Sequence, residues 1–148
     1  MLRDRQRKYI TARVAPRKGA HPYTVRRLGQ DITQVLGYNK CVIKSDQERA
    51  VKKLTAQVRL EYSIEVAEEE SRVGDSQSNG EVEVTNQVVQ GQIRTLKAQL
   101  EYRLGGKLSM ESALLPWLVS HAGACISRYH VGKDGFTAYR RLKGRPFK

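Results

Sequence analysis

Apolar residues recur along the chain with two periods, and each period marks an element. Tyr9-Ile10-Thr11-Ala12-Arg13-Val14 is rich in β-branched and aromatic residues and predicts a strand. Pro16-Arg17-Lys18-Gly19 and Pro22 follow as turn material, a basic loop. From Tyr23 onward Val25, Leu28, Ile32, Val35 and Leu36 fall at helical spacing, and Gly37 is placed to close that helix in a left-handed conformation. Cys41-Val42-Ile43 predicts a short, buried parallel strand that ends at Lys44-Ser45-Asp46, so an acid stands at its carboxyl end. Open α/β sheets place their sites along that edge. Val51, Leu54 and Val58 mark a second helix, and Tyr62-Ser63-Ile64-Glu65-Val66 another strand, giving the order βαβαβ.

In the second half the acidic run Glu68-Glu69-Glu70 leads into residues 72–80, which are dominated by turn formers and predict a loop. Ser78 and Glu81 have the spacing of a capping box, and Val82, Val89, Ile93, Leu96 and Leu100 form an apolar stripe for a long helix. Gly105-Gly106 stops it. A further helix runs from about Met110 through Leu114, Trp117, Leu118, His121, Cys125 and Ile126 to the break at Gly132-Lys133-Asp134-Gly135, with Trp117 expected as a core anchor. At 148 residues, with no internal repeat and no long linker, one α/β domain over 1–148 is expected, ending in a basic tail at 140–148.

Charge narrows the class of partner. The formal net charge is +12 and the pI about 10.0, so the surrounding field favours polyanions, with nucleic acid first among them. The charge is uneven: residues 1–40 carry a balance of +8, residues 41–75 of −2 and residues 76–148 of +6. The acids gather in the middle, where the candidate chemistry lies. Cys41 and Cys125 are far apart and outside any Cys-x-x-Cys pattern, and His21, His121 and His130 lack the neighbours of a zinc module. No apolar run has the length of a signal-peptide core or a membrane span, so an intracellular protein with no membrane partner is expected.

Asp46 ends an apolar strand, and 36 residues separate it from Glu83, in the first turn expected after the loop Ser76-Gln77-Ser78-Asn79-Gly80. The strand-end acid, this loop and Gly80-Glu81-Val82-Glu83 resemble the second and third acids of the DDE integrase family, whose third acid sits in a Gly-x-Val-Glu setting. Leu36-Gly37-Tyr38, Lys44-Ser45-Asp46-Gln47-Glu48, Gln92-Ile93-Arg94-Thr95-Leu96-Lys97, Leu115-Pro116-Trp117 and Asp134-Gly135-Phe136-Thr137-Ala138-Tyr139 resemble copia-like retrotransposon integrases in the same order. The resemblance covers about Tyr9 to Phe147. It implies a ribonuclease H-like mixed sheet with flanking helices, and Asp46 and Glu83 as catalytic ligands of Mg2+ or Mn2+. Two such ions activate the attacking oxygen and stabilise the leaving oxygen in phosphoryl transfer. The family's first acid lies on a first strand well upstream of the second, and only 45 residues precede Asp46. Asp4 is the sole early acid, and Arg3-Asp4-Arg5 resembles the turn between the family's second and third strands. The first strand is therefore expected to be absent, supplied if at all by an upstream segment or another chain. No strand transfer is expected of this chain alone, since two closely spaced ions would lack a bridging charge.

Glu83, Gln87, Gln90, Arg94 and Lys97 recur at spacings of three and four, so they share one helix face on which a phosphate backbone could lie. With Gln77 and Asn79 in the preceding loop and Arg140, Arg141 and Lys143 in the tail, they form the expected DNA-binding set, for transposon ends and target DNA. The chain could be a homo-oligomer, and nuclear if it is an integrase. Two other readings stand beside this one: a basic nucleic-acid-binding or scaffold protein without metal chemistry, and a ribonuclease H-type nuclease on the same fold.

Overall fold

The computed structural model describes residues 1–45, 48–70 and 76–148, residues 70 and 76–79 by their backbone alone. The protein is mixed α/β, and its elements fall into two compact units: Ala15–Gly80, and Met1–Val14 together with Glu81–Lys148. No helix among the described residues is long and apolar enough to cross a membrane.

In the unit Ala15–Gly80, α1 (Pro22–Gln30) opens on a proline, whose missing N–H is no loss at a first helical position. His21 caps it, Nδ1 accepting from the Tyr23 N–H at 3.2 Å. The helix then widens into a π-helical turn, Asp31–Val35, where the Leu36 N–H reaches the Asp31 carbonyl at 3.0 Å, and Gly37 turns the chain at φ +75°. The predicted helix and its glycine stop are thus present, in two windings. Next come β3 (Lys40–Ser45), α2 (Arg49–Tyr62) and β4 (Glu65–Glu70). β3 and β4 pair in parallel from Lys40 opposite Glu65 to Ser45 opposite Glu70, and α2 is the crossover that parallel strands require.

The last strand begins at Glu65 rather than Tyr62 and takes in the whole acidic run, because Glu65 and Glu69 stand opposite Lys40 and Lys44 and pair with them at 2.7 and 3.3 Å. Nor is β3 buried on both faces: it alternates, and Val42 is 63% exposed. Two strands covered on one side leave Lys40, Val42 and Lys44 outward with their partners. The core of the unit holds Val25, Ile32, Leu36, Val58, Ile64 and Val66. Where α1 meets α2 the Tyr62 ring lies against Gly29, and its hydroxyl donates to the Arg26 carbonyl at 2.9 Å.

In the other unit β1 (Leu2–Arg3) and β2 (Ile10–Thr11) form an antiparallel pair, so the predicted strand over Tyr9–Val14 is shorter. Asp4 is buried in the connecting turn, its carboxylate accepting from the N–H groups of Gln6 at 2.8 Å and Arg7 at 3.1 Å. This is the turn role that its sequence setting resembles. α3 (Ser76–Leu104) is helical from Ser76, so residues 76–80 are not loop, and Ser78 and Glu81 lie inside the helix rather than opening it. Residues 72–75 of the predicted loop lie outside the described residues. Val89 of α3 packs with Ile10 and Ala12, surrounded by Ile93, Val119 and Ile126.

α4 (Leu114–Tyr129) starts later than its apolar pattern predicts, leaving Met110 83% exposed. It buries Leu118, Ala122, Gly123 and Ser127, and Gly123 is needed: a Cβ there would stand 3.1 Å from the Ala12 nitrogen. Trp117 is not the expected core anchor. It lies one line round the helix from the buried residues, is 56% exposed, and stacks on His121 with ring centroids 4.6 Å apart. The basic end is folded as well. α5 (Ala138–Lys143) is capped by Thr137, and Phe147 lies edge-on to Tyr129 and Tyr139 with the Arg128 guanidinium 4.2 Å from its ring centre.

Candidate nucleic-acid interface

α3 fixes the candidate face by its geometry alone. Its inner side carries Thr85 and Val89, so residues nearly half a turn away, at 83, 87, 90 and 94, point outward. Glu83, Gln87, Gln90 and Arg94 are all exposed, and among the described residues none of them has a side-chain hydrogen bond or ion pair. The Arg94 guanidinium folds back along the helix over Gly91, where a Cβ would be 4.0 Å from it. One exposed line therefore presents a carboxylate, two amides and a guanidinium in sequence along α3.

The two acids of the Gly80-Glu81-Val82-Glu83 segment differ in electrostatics. Arg3 reaches Glu81 at 3.0 Å and Lys8 reaches it at 3.6 Å, and the Arg3 guanidinium, with Lys8 behind it, pulls the Glu81 carboxyl below its ordinary range. Glu81 is thus neutralised inside its own unit, whereas Glu83 is left with an unshared charge. Sequence reasoning gave Glu81 a capping role, and the basic residues that hold it instead are some seventy-odd positions away in the chain.

Lys97 sits differently from the rest of the stripe. Its ammonium is 2.7 Å from Glu101, which is buried, also meets Lys107 at 3.5 Å, and accepts from the Leu108 N–H at 2.8 Å. Glu101 closes the end of α3 against the chain that follows Gly105-Gly106. These bonds, that from Lys97 foremost and that from Leu108 next, lower the Glu101 carboxyl from 4.5 to about 2. A carboxyl whose folded pKa is depressed stabilises the fold above its unfolded pKa and loses that contribution as pH falls. Melting temperature is therefore expected to fall between about pH 4.5 and 2, and Glu101→Gln, less stable at neutral pH, should show a flatter profile over that interval. Parallel profiles for the two proteins would refute this account.

The carboxyl-terminal candidates divide in the same way. Arg141 is bound through two nitrogens to Asp134, with Nε donating at 2.9 Å, and donates to the Phe136 carbonyl at 3.0 Å. It pins the Gly132–Phe136 turn, in which Gly132 has no room for a Cβ because the guanidinium lies there. The Arg141 bond is also the first cause holding the Asp134 carboxyl down at about 2. Arg140 is exposed and lies 4.3 Å over the Phe136 ring, and Lys143 is exposed at the end of α5. Asp46 lies outside the described residues, directly after the last residue of β3, and so do the side chains of Gln77 and Asn79. Among the described residues no group of three or more His, Cys, Asp and Glu side chains is gathered for a metal ion. No family model matches the chain, and no curated protein matches it.

Proposed function

We propose that this chain is a DNA-binding catalytic-core fragment of the retrotransposon integrase type, with a ribonuclease H-like fold. The observation that carries the reading is the exposed line on α3, where an unpaired Glu83 is followed by Gln87, Gln90 and Arg94. Two further features support it. β3, α2 and β4 make a parallel βαβ unit whose first strand leads directly to Asp46, and the amino-terminal antiparallel pair has Asp4 in its turn.

In this reading Asp46 and Glu83 hold Mg2+ or Mn2+, which would supply Lewis-acid activation of the oxygens exchanged at phosphorus. The chain's own residues would position the nucleic acid. Arg94 can bind a phosphate through two parallel N–H donors, and the amides of Gln87 and Gln90 can donate to neighbouring backbone oxygens without reading bases. Lys97, Arg141 and Glu81 would serve chiefly to hold the folded frame.

Two measurements test the proposal. Neutralising Arg94 by glutamine should weaken duplex DNA binding and reduce the slope of log affinity against log salt by about 0.9, the value for one lost phosphate contact. An unchanged slope would remove α3 from the interface. Magnesium titration followed by amide shifts should lose its response near residue 83 in Asp46→Asn and in Glu83→Gln. If both variants bind magnesium like the parent while DNA binding persists, the chain is a basic nucleic-acid-binding protein without metal chemistry.

A further inference from the structure

We propose a phosphate-binding site in the unit Ala15–Gly80, in the cleft between the loop Arg17–His21 and the first turn of α2. The cleft has a volume of about 380 Å³ and is lined by Arg17, Lys18, His21, Arg49 and Lys53, with Gly19, Ala20 and Ala50 between them. No acid is among the described lining residues. Such a gathering of like charges is unfavourable unless an anion enters it.

The local structure leaves Arg17, Arg49 and Lys53 available. Lys18 is tied to Glu48 at 2.9 Å, and that bond joins the loop to the start of α2 while cancelling one charge of each sign. Among the described residues Arg17, Arg49 and Lys53 have no carboxylate partner. Glu48 stands at the N-cap of α2 and makes no side-chain cap; its carbonyl takes the Val51 N–H at 3.0 Å, and among the described residues the Arg49 and Ala50 amides have no partner. His21 uses Nδ1 to cap α1, which leaves the proton of its neutral ring on Nε2. Gly19, at φ +91°, brings the loop against Ala50, so that Arg17 and Lys18 stand beside Arg49 and Lys53. Two guanidinium groups, an ammonium and the Arg49 and Ala50 amides form a donor set for a tetrahedral, doubly charged oxyanion. The inference does not use α3, Asp46 or any metal ion, and it stands apart from the integrase reading.

A phosphate group can come from a nucleic-acid backbone or from a free phosphate, and one experiment separates the two. The full chain in chloride buffer is titrated with pyrophosphate by nuclear magnetic resonance. Saturable shifts are expected at residues 17–21 and 49–53, weakened by at least about tenfold in Arg17→Gln/Lys53→Gln and unchanged in Arg94→Gln. Both positions of the double variant are exposed, and its remaining spectrum should overlay the parent's. If the spectrum does not overlay, Lys53→Gln alone supplies the comparison. Shifts spread over the basic surface, or equal affinity in parent and variant, would overturn the proposal. Competition with a short DNA duplex then names the source. Displacement of pyrophosphate from residues 17–21 assigns the site to a strand phosphate, and retention assigns it to a free phosphate or polyphosphate.

Discussion

Replacing Ser127 by valine is expected to destabilise its unit by about 2–6 kcal/mol, at about 1–3 kcal/mol for each buried backbone group left unpaired. The Ser127 hydroxyl has no exposure and serves both polar groups of one strand residue: it accepts from the Ile10 N–H at 2.9 Å and donates to the Ile10 carbonyl at 3.1 Å. Valine replaces the hydroxyl by a methyl and adds a second methyl that threonine adds too, so the loss relative to threonine isolates the hydrogen bonds. Threonine, which keeps the hydroxyl, should recover most of it. The readout is built in, because Trp117 is the only tryptophan and lies on the same helix as Ser127. Urea denaturation followed by its fluorescence should show a lower midpoint for Ser127→Val, and coincident curves would mean that β2 is not held to α4 in this way.

Gly29→Ala carries the second large effect, and here the sign is diagnostic. Helix propensity alone favours alanine over glycine inside a helix by about 1 kcal/mol. A Cβ on Gly29 would, however, overlap the edge of the Tyr62 ring, and displacing that ring also breaks its hydroxyl bond to the Arg26 carbonyl. Overpacking of about 1–3 kcal/mol plus a lost hydrogen bond of about 1 kcal/mol outweighs the propensity gain, so net destabilisation of about 1–3 kcal/mol is expected. In a Tyr62→Ala background the same substitution should stabilise, since only propensity remains. Equal effects in the two backgrounds would show that Gly29 and Tyr62 are not coupled.

The elements that could be read from the chain are those whose signal is local. The helix from Pro22, its stop at Gly37 and the helix of Val51, Leu54 and Val58 follow from apolar spacing and one left-handed glycine, and all are found. The errors fall where a distant partner overrides the local pattern. Glu68, Glu69 and Glu70 look like the entry to a loop, yet they complete β4 because Ile43, Lys44 and Ser45 lie beside them. Trp117 has the composition of a core residue, but the neighbouring line of α4 bears Leu118 and Ala122, and only one line can face β2. The basic tail reads as a free polyelectrolyte until Phe147 finds Tyr129 and Tyr139.

The candidate site divides along the same boundary. That Glu83, Gln87, Gln90 and Arg94 share a face is a property of 3.6 residues per turn and needed no partner to establish. Charge sign and total, likewise, are additive over residues, so a chain of +12 sets up a field that favours polyanions however it folds. Which charges are free to act was settled only in three dimensions. Lys97, Arg141 and Glu81 have the same standing in the sequence as Arg94, Arg140 and Glu83, but they meet Glu101, Asp134 and Arg3. The cleft at Arg17 and Lys53 was visible in sequence only as a basic loop and a polar helix turn. Pairing depends on separations of a few ångströms between groups remote along the chain, and those separations are set by packing.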